Sequence, residues 1–249
     1  MLPKTMQAMP KQFKLLSLIR LLFVDLVRRI FDQHANLSYS NAGEDLIIRR
    51  IFNKSAGFYV DLGCNAPDSK SNTFALYKLG WTGICIDANE VLIDRHSGLR
   101  PNDCQVLAAV SNEIKEVVFT QFVGDSQISS IDESFTERIS KSRAEKIEKR
   151  MQTRTLTEIL DAQAVAKNFD LLCIDVEGHD FEALQSLDFL KYRPRVIVIE
   201  ILCLNLARFS ENQIIQYLLE RNYKFVGYVM QNAYLADANP NASEGLYFG

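Results

Sequence analysis

The sequence is poor in the features that place a chain quickly. It has five cysteines, Cys64, Cys85, Cys104, Cys173 and Cys203, and none forms a CxxC pair. That spacing argues against a zinc or disulfide framework and for buried free thiols in a reducing compartment, hence the cytoplasm. The three histidines, His34, His96 and His179, are too scattered to suggest a zinc site. There is no basic excess. Lys and Arg number 28 against 31 Asp and Glu, a net charge of −3, so no global field draws nucleic acid. No G-x-G-x-x-G turn and no G-x-x-x-x-G-K-[ST] loop is present, which disfavours NAD and ATP. No small-residue cleavage site stands out near the start, which disfavours a secretory leader.

What is there is ordinary globular composition, 47% hydrophobic and 24% charged. The length suits one domain with an extension. We place the extension at 1–36 and the main domain at 37–249. Within the extension, 11–31 reads as an amphipathic helix. Leu15, Leu16, Ile19, Leu22, Phe23, Leu26 and Ile30 share one face, with Lys14, Asp25, Arg28 and Arg29 on the other. Residues 1–31 carry six Lys and Arg against Asp25 alone, a local charge of +5 that leaves −8 on the rest. The interrupting charges argue against a membrane-crossing span. Such a helix packs on the core or a partner subunit of a homo-oligomer, or lies on the inner face of an anionic membrane as a peripheral contact.

The main domain is organised around 58–87. An apolar run, Phe58-Tyr59-Val60, ends in Asp61-Leu62-Gly63. A helix-compatible crossover follows, and a second run, Ile84-Cys85-Ile86, ends in Asp87. That is a βαβ unit of the kind that holds a nucleotide-type cofactor. Gly63 lets the backbone turn tightly beneath a ligand. Asp87 is placed to accept hydrogen bonds from ribose hydroxyls.

The remaining pattern alternates strands with helices as far as residue 229. Strands are expected near 57–62, 82–86, 105–110, 169–174, 195–201 and 223–229, with an added strand at 117–122. Helices are expected near 69–80, 89–98, 155–160 and 211–221. Asn41 and Glu44 suggest a capping box for a helix through Leu46–Phe52, and Thr155 a cap for its own helix. Residues 124–130 read as a loop and 134–150 as an exposed helix or lid. Leu246-Tyr247-Phe248 suggests an edge strand. Runs such as Leu171-Leu172-Cys173-Ile174 and Val196-Ile197-Val198-Ile199 mark strands covered on both faces. The fold class is therefore α/β, a mostly parallel sheet flanked by helices. In such sheets ligands gather at the carboxyl ends of strands, where Asp61, Asp87, Asp175 and Glu200 converge. A cofactor with ribose and base but no phosphate at the turn fits best, and S-adenosylmethionine is one.

Several motifs in order resemble the FkbM-type methyltransferases that use S-adenosylmethionine. They are Val60-Asp61-Leu62-Gly63-Cys64-Asn65, Ser71-Asn72-Thr73, Leu79-Gly80-Trp81-Thr82-Gly83 and Ile86-Asp87-Ala88. Ala109-Val110-Ser111, Thr153-Arg154-Thr155-Leu156, Ile174-Asp175-Val176-Glu177-Gly178 and 193–200 continue the match, which covers roughly 39–202. Pro67 stands where many members have glycine, and Asp87-Ala88 where many have Glu-Pro. The resemblance implies a Rossmann-like class I methyltransferase sheet whose last strand is antiparallel, and O-methylation of a sugar, polysaccharide or polyketide hydroxyl. It implies that Asp61 and Gly63 lie under the methionine part of the cofactor, Asp87 with Ala88 at the ribose, Asn65 and Asn72 along the pocket, and Ser111 or its neighbours at the adenine. Asp175 and Glu177 then face the transferred methyl group.

A hydroxyl is a poor nucleophile, so a base or metal is expected. Asp175, Glu177, Glu200 and His179 are the candidates, and Asp175 with Glu177 could also hold Mg²⁺ or another divalent ion. Each has a plainer reading: Asp175 as a helix cap, Glu177 as a paired acid, His179 as a packed histidine, Glu200 as structural. The rival enzyme is an NAD(P)-dependent epimerase or reductase, which would need the missing glycines and a Tyr-x-x-x-Lys pair. The rival from another class binds S-adenosylmethionine or a nucleotide without chemistry. The acceptor in the leading reading is a glycan, glycolipid or small-molecule hydroxyl.

Overall fold

The computed structural model describes residues 36–122, 125–140 and 145–239, with 23, 24, 26, 27, 242 and 245–247. The amphipathic stretch at 11–31 therefore lies outside the described residues except for those four helical positions, where Phe23 and Leu26 are exposed. Among the described residues no helix is long and apolar enough to cross a membrane.

The chain opens into helix α1 (Glu44–Phe52), strand β1 (Phe58–Leu62), α2 (Phe74–Leu79), β2 (Thr82–Asp87) and α3 (Glu90–Leu99). Strands β3 (Cys104–Leu107), β4 (Ala109–Val110), β5 (Glu116–Phe122) and β6 (Asp125–Ser130) follow, then α4 (Glu133–Ser140) and β7 (Lys146–Arg154). The second half runs α5 (Leu156–Ala162), β8 (Leu171–Ile174), α6 (Asp180–Gln185), β9 (Val196–Glu200), a 3₁₀ turn (Leu206–Glu211), α7 (Gln213–Leu219), β10 (Tyr223–Val229) and β11 (Asn232–Asp237).

Seven strands form the main sheet in the order β10-β11-β9-β8-β1-β2-β3. From β9 through β3 every pairing is parallel, while β11 runs antiparallel to both neighbours. The last strand, β11, is thus the antiparallel one, as the resemblance implies. Alternation along β8 divides the core. Leu172 and Ile174 join Leu62, Ile86, Leu156, Ile197 and Leu184 on one face. Leu171 and Cys173 join Tyr59, Trp81, Phe52, Val198 and Tyr234 on the other. A strand buried on both faces must be apolar at every position, which is why β8 and β9 read as unbroken runs. Each fully buried Leu, Ile or Phe contributes about 1.5–3 kcal/mol.

A second sheet, in the order β4-β7-β5-β6, stands beside the first. It corrects two expectations. Residues 125–130, expected as loop, pair antiparallel with β5. The charged tract expected as one exposed helix or lid is α4 followed by β7, whose ladder against β5 runs from Glu116↔Gln152 to Phe122↔Lys146. The charges on β7 are exposed, with Arg150 2.9 Å from Glu116 and Lys149 2.8 Å from Glu90. A solvated strand face and a solvated helix face have the same composition; the distant partner strand decides between them.

Local signals fared unevenly. Thr155 and Glu158 close a full capping box on α5. The box expected at Asn41 and Glu44 does not form. Gly43 caps α1 in the left-handed conformation, and Asp45 instead accepts from Ser38, the Tyr39 amide and Ser40. Residues 246 and 247 are not a strand; the Tyr247 amide donates to the Ile51 carbonyl at 2.7 Å. Phe248 is outside the described residues. Cys64, Cys85 and Cys173 are buried as expected, but Cys203 is exposed and Cys104 only half-buried; all five are free.

Candidate functional site

Strand ends set the site. The carboxyl ends of β1, β2, β8 and β9 border one cavity of about 540 Å³, within the range of ligand pockets. Asp61, Gly63, Asn65, Asn72, Asp87, Ala88, Asp175, Glu177, His179 and Glu200 all line it. Residues up to 188 apart in sequence meet here: Asn232 Nδ2 donates to Glu44 Oε1 at 3.4 Å.

Gly63 ends β1 at φ +76°, and a Cβ on it would overlap the carbonyl oxygen of Asp175. The glycine is therefore demanded by the neighbouring β8 turn as well as by the bend beneath a ligand. The next turn brings Asn65 to φ +49°, and its amide donates to Asp87 Oδ2 at 3.0 Å. Asp87 Oδ1 accepts from the Asn89 amide at 2.8 Å. Two backbone donors fix the Asp87 carboxylate at the end of β2 with further lone pairs to offer a diol. Loss of surrounding water pushes its pKa up to about 6, against the pull of those amides.

Asp61 is held from behind. Thr73 Oγ1 donates to its Oδ2, and the fully buried Arg100 donates to Thr73 Oγ1 at 2.8 Å. The same guanidinium reaches Asp103 and the Tyr59 hydroxyl, at 2.8 and 2.7 Å. Burial raises the Asp61 pKa, and Arg100 opposes that rise. Sequence reading passed over Arg100 and Asp103. Both follow α3 in a segment with no strand or helix pattern, and nothing local marks a buried arginine.

A second wall of the cavity is built on the β8 turn. Glu177 has φ +55° and Gly178 φ +97°. A non-glycine residue in that region is strained, and strain of this kind gathers at functional sites. The turn is braced twice. Asp180 accepts from the Val176 and Gly178 amides at 2.9 and 3.1 Å, and Ser130 Oγ donates to the Glu177 carbonyl at 2.7 Å. Ser130 and Phe135, with Phe119, Ile131 and Ile139, bring the second sheet and α4 onto the cavity.

The carboxylate pair expected from sequence, Asp175 with Glu177, is not the tightest group. Oxygens of Asp175, Asp180 and Glu200 come within 4.8 Å of one another. Burial, followed by Glu200 and Asp180, drives the Asp175 pKa far up. Burial, followed by Asp180 and Glu177, pushes Glu200 up to about 8. Among the described residues, Asp175 Oδ1 and Glu200 Oε2 have no hydrogen-bond partner. The sequence missed Asp180, which looked like an ordinary first-turn acid.

His179, which lines the cavity, meets Ser111, which does not. Ser111 is fully buried and outside the cavity lining, with its Oγ 3.0 Å from His179 Nε2. Its neighbours Ala108, Ala109 and Val110 line the cavity instead. Burial lowers the His179 pKa, so the imidazole is neutral at pH 7, with Nε2 engaged and Nδ1 3.8 Å from Glu182. His96 also leaves its scatter: a ring nitrogen comes within 4.8 Å of the thiols of Cys64 and Cys85.

S-adenosylmethionine fits these residues. The turn that follows β1 is closed by the Asp175 carbonyl and has no phosphate-cradling glycines, Asp87 presents a fixed carboxylate, and asparagine amides flank the pocket. A family model for the methyltransferase FkbM domain matches residues 61–225. No curated protein matches significantly. Among solved structures, the chain is similar to a TehB-like SAM-dependent methyltransferase from Corynebacterium glutamicum ATCC 13032 Kitasato. Identity is 14%, the match covers 88% of this chain and 96% of that chain, and the TM-score is 0.38.

Proposed function

The chain belongs to the FkbM methyltransferase family, and on that premise we propose that it transfers a methyl group from S-adenosylmethionine to a hydroxyl oxygen of a carbohydrate or glycolipid. The observation that carries the finer reading is the acceptor side of the cavity. Its polar wall combines carboxylates at the ends of β8 and β9 with the amides of Asn41, Gln231 and Asn232. Such a lining can accept and donate to several hydroxyls at once.

When bound, S-adenosylmethionine supplies a sulfonium methyl group whose C–S bond breaks as the O–CH₃ bond forms, leaving a neutral thioether. The chain's own residues do the rest. Asp87 accepts from the ribose hydroxyls. Asn65 and Asn72 hold the amino-acid end, with Asp61 fixed beneath it by Thr73. Phe119, Phe135 and Ile131 exclude water from the acceptor side. Glu177, on its braced turn, takes the proton that leaves the acceptor oxygen. A neutral His179 with Nε2 engaged is less suited to that role. Divalent-ion assistance belongs to the same reading, because the acids that gather here are oxygen donors.

The test is calorimetry with S-adenosylmethionine, followed by mass spectrometry of saccharide acceptors and of envelope glycans from cells with and without the protein. Binding together with a gain of one CH₂ on a glycan oxygen supports the reading. Tight binding without transfer to any hydroxyl acceptor favours a non-catalytic binding module.

A further inference from the structure

We infer that Asp175, Asp180 and Glu200, with the amide oxygen of Asn232, form a site for one divalent hard cation on the acceptor wall of the cavity. The three carboxylate oxygens lie within 4.8 Å of one another. Oxygens on opposite sides of Ca²⁺ are about 4.6–5.2 Å apart, and around Mg²⁺ about 4.0–4.2 Å apart. The cluster thus falls within the span of a Ca²⁺ coordination sphere, and a smaller ion would draw it in.

A second observation is independent of the acids. Asn232 stands directly across from Glu200 in the β9–β11 ladder, so both side chains leave the same face of the sheet. Asn232 is 7% exposed and lines the cavity, and its Oδ1 has no hydrogen-bond partner among the described residues. Glu200, 8% exposed, has Oε2 unpartnered, and so has Asp175 its Oδ1. Three buried acceptors without donors on residues that line one cavity are costly, because each has lost its water and gained nothing. A cation satisfies all three at once. An all-oxygen ligand set selects Mg²⁺, Mn²⁺ or Ca²⁺ over softer ions.

The ligands are not equivalent. Asp175, Glu200 and Asn232 line the cavity, while Asp180 stands behind the wall. Asp180 already accepts from the Val176 and Gly178 amides, so it ties the cation to the turn that carries Glu177. A cation there would meet the acceptor hydroxyl, lower its pKa and hold its oxygen toward the methyl group, with the proton passing to Glu177. That role rests on the methyltransferase reading; the site itself does not.

The experiment is titration of the full chain with Mn²⁺, with free Mn²⁺ read by electron paramagnetic resonance, and S-adenosylmethionine calorimetry on the same samples. The expected result is one Mn²⁺ per chain. Glu200→Gln and Asn232→Ala should weaken it by about tenfold or more, and Glu177→Gln, outside the cluster, should leave it in place. Intact cofactor binding shows that a variant is folded, and Asn232→Ala gives the reading if Glu200→Gln does not fold. Wild-type protein that binds S-adenosylmethionine but no Mn²⁺ overturns the site, as does unchanged Mn²⁺ affinity in a folded variant. Mn²⁺ binding without methyl transfer upholds the site and removes the hydroxyl-transfer reading. Transfer unaffected by chelation overturns the cation's catalytic role.

Discussion

Gly63 and Asp175 share one space: the side chain that Gly63 lacks would occupy the position of the Asp175 carbonyl oxygen. The turns after β1 and β8 both line the cavity, and the proposed function puts the cofactor at the first and the acceptor at the second. Their contact fixes the spacing between donor and acceptor, which an in-line displacement requires.

Gly63→Ala is therefore expected to do two things. A left-handed backbone and a steric overlap together cost at least ~2 kcal/mol of stability. Any folded fraction should bind S-adenosylmethionine weakly, because relief of the overlap moves the turn. Thermal unfolding and calorimetry read the two effects; wild-type cofactor affinity in the variant would contradict the shared-space account.

Asp87 gives the pH dependence. Its pKa stands at about 6, and on the proposed function the ionised form accepts from the ribose hydroxyls. Cofactor affinity should be flat above that pH and fall about tenfold per unit below it, since protonation must be reversed before binding. Asp87→Asn should weaken binding about 10–100-fold and abolish this slope. Calorimetry across the range checks both, and an unchanged slope in the variant would assign it to another group.

Thr73 is expected to act through Asp61. Thr73→Val removes the hydroxyl that Arg100 holds and Asp61 accepts from, leaving a buried carboxylate oxygen without its donor. Stability should fall by ~1–3 kcal/mol. Cofactor KM should rise about tenfold with the acceptor KM little changed, and Thr73→Ser should restore both. A loss of melting temperature without any change in cofactor KM would make the network purely structural.

The fold and half of the site were legible for one reason: they are written locally. Unbroken apolar runs such as Leu171–Ile174 report strands buried on both faces, and the acid that ends each run marks the ligand edge. Asp61, Asp87, Asp175 and Glu200 follow from that rule alone. What was not legible depends on partners far away. β6 and β7 look like loop and exposed helix until β5 pairs with them. Arg100 is an ordinary charge until Asp103, Tyr59 and Thr73 surround it. Asp180 looks like a helix-start acid until Glu200 arrives from another strand. Ser111, one residue after β4, is buried against His179, and of the alternatives the sequence left open it is the neighbours Ala108, Ala109 and Val110 that line the cavity.

Phe135 tests the share of α4 in the site. It is buried, lines the cavity, and lies against the position of a Cβ on Gly178. Phe135→Ala should raise the acceptor KM about tenfold while cofactor affinity stays within a factor of two or so. Steady-state kinetics with each substrate varied in turn decides it; equal losses for both would mean that α4 supports the whole cavity.

The central claim is transfer of methyl to oxygen at the carboxylate edge. It is tested most directly by incubating the full chain with S-adenosylmethionine bearing a deuterated methyl group and a panel of saccharides, and locating the label by mass spectrometry. The account predicts the intact labelled methyl group on a sugar oxygen, with Glu177→Gln slowing transfer at least ~100-fold while cofactor binding persists. Label found only on nitrogen or carbon, or no label on any acceptor from protein saturated with cofactor, would contradict it.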